Sequence, residues 1–205
     1  FAMSAFVSTT LLQEFVRGAR VRQQYSGSDL VTSAIGLVAR NQRRYGGYIV
    51  HLGIVLMALG FAGDGFKQEE QLLLKPGQTV TVGSFTVRHD GIAITQDAQK
   101  QMVTAKMTAF QDGKELGTLA PAKWFYNKRA DEPTTEVAIR RSFGYDLYVV
   151  LAGFDAEQQS ATFHVVVNPL VNWIWAGFGI LALGTLIALL PERALAVASV
   201  KIPEG

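Results

Sequence analysis

The chain has 205 residues, of which 49 % are hydrophobic and 18 % charged, with no cysteine and a formal net charge of +2. The apolar content excludes a disordered or fibrous protein, and the lack of cysteine excludes disulfide scaffolds, thiolate metal sites and cysteine nucleophiles. A net charge this close to zero also argues against a nucleic-acid partner, for which a basic face is expected.

Apolar stretches predict a membrane protein with α-helical transmembrane spans. Residues 45–63 and the predicted span 168–190 are each long enough for a helix that crosses a hydrocarbon core of about 30 Å. Residues 1–16 begin without a helix-start signal, and we interpret them as the C-terminal part of a third transmembrane helix. We therefore expect the chain to be the C-terminal piece of a larger membrane protein.

Residues 17–44 are predicted to form a basic cytoplasmic loop, because they carry six arginines against one acidic residue, Asp29. Within this loop Ser28 is predicted to cap an amphipathic helix that lies along the inner membrane surface. The apolar positions of that helix fall on one side, at Leu30, Val31, Ala34, Ile35, Leu37 and Val38. Residues 191–205 are predicted to be a cytoplasmic C-terminal tail.

Residues 64–167 have the two-residue periodicity of an antiparallel all-β domain, a barrel or a sandwich. Apolar and polar residues alternate through 103–109, and further strands are predicted at 71–74, 79–82, 85–87, 124–126, 135–139, 147–151 and 162–167. Turns are predicted at 75–77, 89–91 and 111–113, where Pro-Gly or Asp-Gly occurs. Since membrane spans flank this domain, we expect it in the periplasm, across the membrane from the arginines.

Only three histidines are available as candidate site residues, and His51 differs from the other two. His89 lies among turn residues and is interpreted as solvated, and His164 is interpreted as a structural or surface residue of a strand. His51 follows Arg44 by seven residues, about 10 Å along a helix, which puts it inside the hydrocarbon. An ionisable group at that depth marks a functional site, such as a metal ligand or a proton relay.

Glycines at positions 46, 47, 53 and 60 surround His51 and leave room for a flat macrocycle or for a neighbouring helix. The second possibility gives an alternative interpretation, in which the helices pack through small residues and His51 only makes a hydrogen bond. The residues alone leave both open.

The motif RRYGGYIVHLG at residues 43–53 resembles the CcmF family of cytochrome c-type biogenesis proteins, the haem lyase subunits. Three further stretches agree with that family in the same order. They are QEFVRG at 13–18, PTTEVAI at 133–139 with DLYVVL at 146–151, and NPLVNWIW at 168–175. The resemblance covers the C-terminal third of a typical family member.

The resemblance implies that His51 is one axial ligand of the iron of a b-type haem held in the membrane, with a second histidine from an upstream region. It implies a haem lyase of the holocytochrome c synthase type, part of a multi-subunit complex of the bacterial inner membrane. Its implied partners are apocytochrome c, the haem chaperone CcmE and apocytochrome-presenting subunits of the CcmH/CcmI type. No catalytic residue is assigned.

Two alternatives remain open beside the lyase. In one, the chain is a membrane-anchored periplasmic β-domain that docks assembly partners and has no cofactor of its own. In the other, it is the last section of a transporter.

Overall fold

The computed structural model describes residues 1–27 and 29–190, which form two compact units. The helical unit comprises Phe1–Ala62 and the chain from Trp173 onwards, and the β unit comprises Gly63–Asn172. The predicted tail at 191–205 and the predicted capping residue Ser28 lie outside the described residues.

The helical unit consists of α1 (Ala2–Ser26), α2 (Leu30–Arg40), α3 (Gln42–Ala62) and α4 (Val171–Leu189). Of the helices in the described part of the chain, Gln42–Phe66 and Val171–Leu189 are long and apolar enough to cross a membrane. The prediction that residues 1–16 end a third transmembrane helix stays a prediction.

The basic segment 17–44 is more helical than predicted. Helix α1 continues through Arg17, Arg20 and Arg22 and ends only at Gly27, which takes the left-handed conformation (φ 66°) typical of a helix C-cap. The N-cap residue of α2 is Asp29, whose carboxylate accepts hydrogen bonds from the backbone N–H groups of residues 31 and 32.

The β unit is an antiparallel two-sheet sandwich. One sheet has the strand order β1-β10-β9-β8, and the other has β2-β3-β4-β6-β7 with β5 paired to β4. The strands are β1 (Gln68–Leu74), β2 (Thr79–Val82), β3 (Phe85–Gln96), β4 (Lys100–Gln111), β5 (Lys114–Leu119), β6 (Ala122–Tyr126), β7 (Arg129–Glu136), β8 (Ala138–Arg140), β9 (Tyr145–Asp155) and β10 (Ser160–Pro169).

Alternating side chains from both sheets form one core. On β4, Val103, Ala105 and Met107 are buried while Lys106 is exposed, as the alternation predicts. Val149 on β9 and Phe163 on β10 contribute the facing side. The sandwich follows from this pattern, because each sheet buries one apolar face against the other.

Three details of the β unit differ from the sequence prediction. Residues 89–91, predicted as a turn, lie inside β3 at a bulge where the register with β4 shifts. Residues 135–139, predicted as one strand, divide between β7 and β8, which belong to different sheets. Strand β5 was not predicted.

The chain enters and leaves the β unit at one end. A short 3₁₀ helix, Gly63–Phe66, begins the unit, and a Cβ on Gly63 would clash with the carbonyl oxygen of Pro169. At the exit, the Asn172 side chain donates hydrogen bonds to the carbonyl of Ser142 (2.6 Å) and to the carboxylate of Asp146 (2.8 Å). The first and last residues of the β unit are therefore held by contacts within that unit.

Candidate functional site

His51 lies in the middle of α3 with an exposed side chain. Its Nδ1 is 2.7 Å from the backbone carbonyl oxygen of Gly47. Since a carbonyl only accepts hydrogen bonds, the neutral ring carries its proton on Nδ1, and Nε2 keeps its lone pair. In this arrangement Nε2 is available as a ligand atom, because it has no hydrogen-bond partner within the described part of the chain.

The surroundings of His51 on α3 are open and apolar. A Cβ added to Gly47, one turn before His51, would meet no atom within 4 Å. Leu52 and Ile54 beside the histidine are exposed apolar side chains. This face of the helix therefore offers space and an apolar environment next to an imidazole with a free lone pair.

The opposite face of α3 is closed by α4. A Cβ on Gly53 would lie 2.6 Å from the carbonyl oxygen of Gly177 and 2.6 Å from the backbone nitrogen of Leu181. A Cβ on Gly46 would lie 2.9 Å from the carbonyl oxygen of Gly184. Each helix thus contributes two glycines spaced by seven residues, Gly46 and Gly53 on α3 and Gly177 and Gly184 on α4, and the two backbones come into close contact there. We call this contact the glycine seam.

The glycine seam shows which glycines of α3 pack against a helix and which leaves open space. Gly46 and Gly53 receive a neighbouring helix, and Gly47 is the one whose missing side chain leaves open space beside His51. The seam members on α4, Gly177 and Gly184, were missed by the sequence reasoning, although their seven-residue spacing repeats that of Gly46 and Gly53 and could have identified them.

An aromatic and charged cluster holds the start of α3 against α1. The Phe15 ring packs edge-on against Tyr45 (centroids 5.2 Å apart) and Tyr48 (6.1 Å). Arg44 donates to Glu14 at 2.9 Å and to the Tyr48 hydroxyl at 3.0 Å. The turn that precedes Gly47 and His51 is therefore fixed by contacts on a second helix.

The prediction that His89 is solvated in a turn is wrong. It is fully buried on β3, packs against the Phe163 ring (centroids 5.0 Å apart) and has its Nε2 3.0 Å from the carbonyl of Gln159. Its Nδ1 has no hydrogen-bond partner within the described residues. The sequence could not show this burial because Gln159 is 70 positions away.

His164 lies on β10, as predicted, and its Nε2 is 3.2 Å from Glu69. Hydrogen bonds from Lys67, and to a lesser degree from His164, hold the pKa of Glu69 below its ordinary value. Over residues 1–27 and 29–190, no three histidine, cysteine, aspartate or glutamate side chains come together as a metal-binding group.

Comparison with models of known protein families gives a match. The family model described as "CcmF C-terminal beta-sandwich" matches residues 65–169, a little over half of the chain and nearly all of the β unit.

Curated relatives match both units. The chain is 29 % identical over 194 residues to the cytochrome c-type biogenesis protein CcmF of Pseudomonas aeruginosa, covering 94 % of this chain and 28 % of the relative. It is 32 % identical over 142 residues to the cytochrome c-type biogenesis protein ccl1 of Rhodobacter capsulatus, covering 69 % of this chain and 21 % of the relative. The chain thus spans about a quarter of the length of these relatives.

A solved structure titled "Cytochrome c Heme Lyase CcmF" has the same fold. It matches with a TM-score of 0.63 at 23 % identity, covering 89 % of this chain and 34 % of that one.

Proposed function

Because the chain belongs to the CcmF family of cytochrome c-type biogenesis proteins, we propose that it is the C-terminal part of a membrane haem lyase. That enzyme attaches haem covalently to apocytochrome c, and His51 is one axial ligand of a b-type haem held within the membrane. The observation that carries the proposal is the geometry of His51, whose Nδ1–H is held by the Gly47 carbonyl and whose Nε2 is free on the open face of α3.

The residues present fit an axial haem ligand. Histidines that ligate metals generally donate their other ring N–H to a carbonyl or carboxylate, which fixes the tautomer and the ring orientation. Gly47 supplies both that carbonyl and the absence of a side chain where a flat macrocycle would approach. When bound, the haem would supply one-electron redox chemistry in an apolar environment.

The proposed topology puts α3 and α4 across the bacterial inner membrane, with the arginine-rich segment in the cytoplasm and the β unit in the periplasm. The positive-inside rule supports this orientation, because residues 17–44 carry six arginines against one acidic residue. In this topology the β unit is available to periplasmic partners, for which we propose apocytochrome c, CcmE and subunits of the CcmH/CcmI type.

The test is the absorption spectrum of the purified full-length protein, in the wild type and in two histidine variants. We expect b-type haem bands in the wild type, loss of those bands in His51→Gly, and their recovery when imidazole is added to His51→Gly. His164→Ala is the matched control, since it removes a half-buried imidazole of the β unit and should keep the bands. A wild type without b-type bands, or bands that survive in His51→Gly without imidazole, would contradict the axial-ligand role.

The same spectra, together with a maturation assay of a variant that lacks the β unit, separate the lyase from the docking alternative. If the wild-type protein binds no haem, and deletion of the β unit abolishes cytochrome c maturation, the chain is a membrane-anchored docking module. If haem binding depends on His51, the cofactor-bearing function stands.

A further inference from the structure

The structure contains a basic pocket that the proposed haem chemistry does not use. A cavity of about 520 Å³ opens between the second half of α1, the end of α2 and the first turn of α3. Four arginines and one carboxylate line it, which gives the lining a formal charge of +3; these residues are Arg17, Arg22, Arg40, Arg44 and Glu14. We call it the arginine pocket.

The charge of the arginine pocket is only partly neutralised from within. Glu14 pairs with Arg44 at 2.9 Å. Arg17, Arg22 and Arg40 form no ion pair with any carboxylate of residues 1–27 and 29–190. Three guanidinium groups around one cavity offer forked N–H donors to an anion with several oxygen atoms.

The guanidinium of Arg22 lies within the contact between α1 and α2. Arg22 is half-buried and its side chain crosses Gly36 of α2. A Cβ on Gly36 would lie 2.6 Å from Nη2 and 2.7 Å from Nε of Arg22. Arg22 can therefore take this position only because residue 36 has no side chain.

Apolar surface lies next to the charge. A groove of about 250 Å³ between α1 and α2 has an almost wholly apolar lining that includes Phe15, Val31 and Ile35. Val31 and Ile35 are about two-thirds exposed. The arginine pocket itself ends at Arg44 and Tyr45, where the apolar segment of α3 begins. An anion that carries hydrocarbon chains would match these features, because its charged group would lie in the arginine pocket and its chains along the adjacent apolar surface.

From these observations we infer that the arginine pocket binds a phosphate-bearing anion, the chemistry presented by the headgroup of an anionic phospholipid. Basic pockets between helices at the cytoplasmic membrane surface bind such headgroups through arginine. The inference rests on the proposed topology, in which this segment lies at the cytoplasmic membrane surface, and is independent of the proposed role of His51.

The test compares two double variants of the full-length protein in detergent micelles. Arg17→Gln with Arg40→Gln removes two charges of the pocket, and Arg20→Gln with Arg43→Gln removes two charges of the same segment that do not line it. Binding of short-chain phosphatidylglycerol, phosphatidylcholine and inorganic phosphate is measured by thermal stabilisation and by native mass spectrometry.

We expect phosphatidylglycerol to bind the wild type and to bind the pocket variant about 30-fold more weakly, since an arginine near a membrane surface contributes roughly fivefold. The control variant should lose less than about threefold of its affinity. Gly36→Ala, which displaces the Arg22 guanidinium and leaves every charge in place, should weaken binding by about fivefold while the protein stays folded.

The phosphate arm identifies the source of the anion. Binding of phosphatidylglycerol but not of inorganic phosphate supports a lipid headgroup, and equal arginine dependence for inorganic phosphate supports a soluble phosphate compound at the same pocket. Equal weakening in the two double variants, equal binding of phosphatidylcholine, or no binding of either anion would overturn the inference.

Discussion

The glycine seam between α3 and α4 makes a direct prediction for two alanine substitutions on one helix. In Gly53→Ala, the new methyl group would lie 2.6 Å from two backbone atoms of α4, whereas ordinary van der Waals contact begins at 3.4 Å. The helices must therefore separate by about 0.8 Å. Overpacking of this kind costs about 1–3 kcal/mol. In Gly47→Ala, the methyl group meets no atom within 4 Å, and alanine favours the helix by up to about 1 kcal/mol.

The assay is thermal unfolding in detergent, followed by tryptophan fluorescence in a Trp124→Phe background. Within this sequence that leaves Trp173 and Trp175, which both lie on α4 and report on the seam. We expect Gly53→Ala to melt several degrees below the background, at about 2–4 °C per kcal/mol, and Gly47→Ala to melt at or above it. Equal melting temperatures for the two variants would refute the seam, and with it the argument that α4 leaves the His51 face open.

Two further predictions concern the β unit. Both are tested by denaturant unfolding, followed by the fluorescence of Trp124 in a Trp173→Phe, Trp175→Phe background. Burial raises the pKa of Asp90, but hydrogen bonds from Thr108 and Arg88 (2.6 Å each) outweigh it, so the folded pKa lies below 3.8 and the ionised form stabilises the fold above that pH. Asp90→Asn should therefore lower the free energy of unfolding at pH 7 by about 1 kcal/mol, a value reduced because the side chain is partly exposed to solvent. The variant should also lose less stability than the wild type when the pH is lowered. An equal loss in the two proteins would contradict the prediction. His89→Ala should cost about 2–4 kcal/mol, because it leaves a cavity against Phe163 and an unpartnered carbonyl at Gln159; a loss below about 1 kcal/mol would show that the site collapses freely.

Local chemistry predicted most of the β unit and failed where a distant residue intervenes. The alternation at 79–82 coincides with β2, and Asp112 and Gly113 form the predicted turn with positive φ angles of 50° and 80°. Asp90-Gly91 has the same dipeptide yet lies in a strand. There the Gln159 side chain, from the turn between β9 and β10, accepts a hydrogen bond from the backbone N–H of Ile92 at 3.0 Å. That contact spans 67 positions, so no local pattern could reveal it.

In the candidate site, too, some features follow from one segment of the sequence and others depend on residues far along the chain. The apolar helix that carries His51 and the glycines near it belong to one segment and could be predicted from the sequence. The two possible roles of those glycines could be predicted as well. Which glycine faces a helix and which faces open space depends on Gly177 and Gly184, more than 120 positions away. Once those two pair with Gly53 and Gly46, the orientation of α3 is determined, and His51 must lie off the seam. Packing through small residues therefore does not compete with the proposed ligand role of His51, because the glycine seam and the histidine lie on opposite faces of α3.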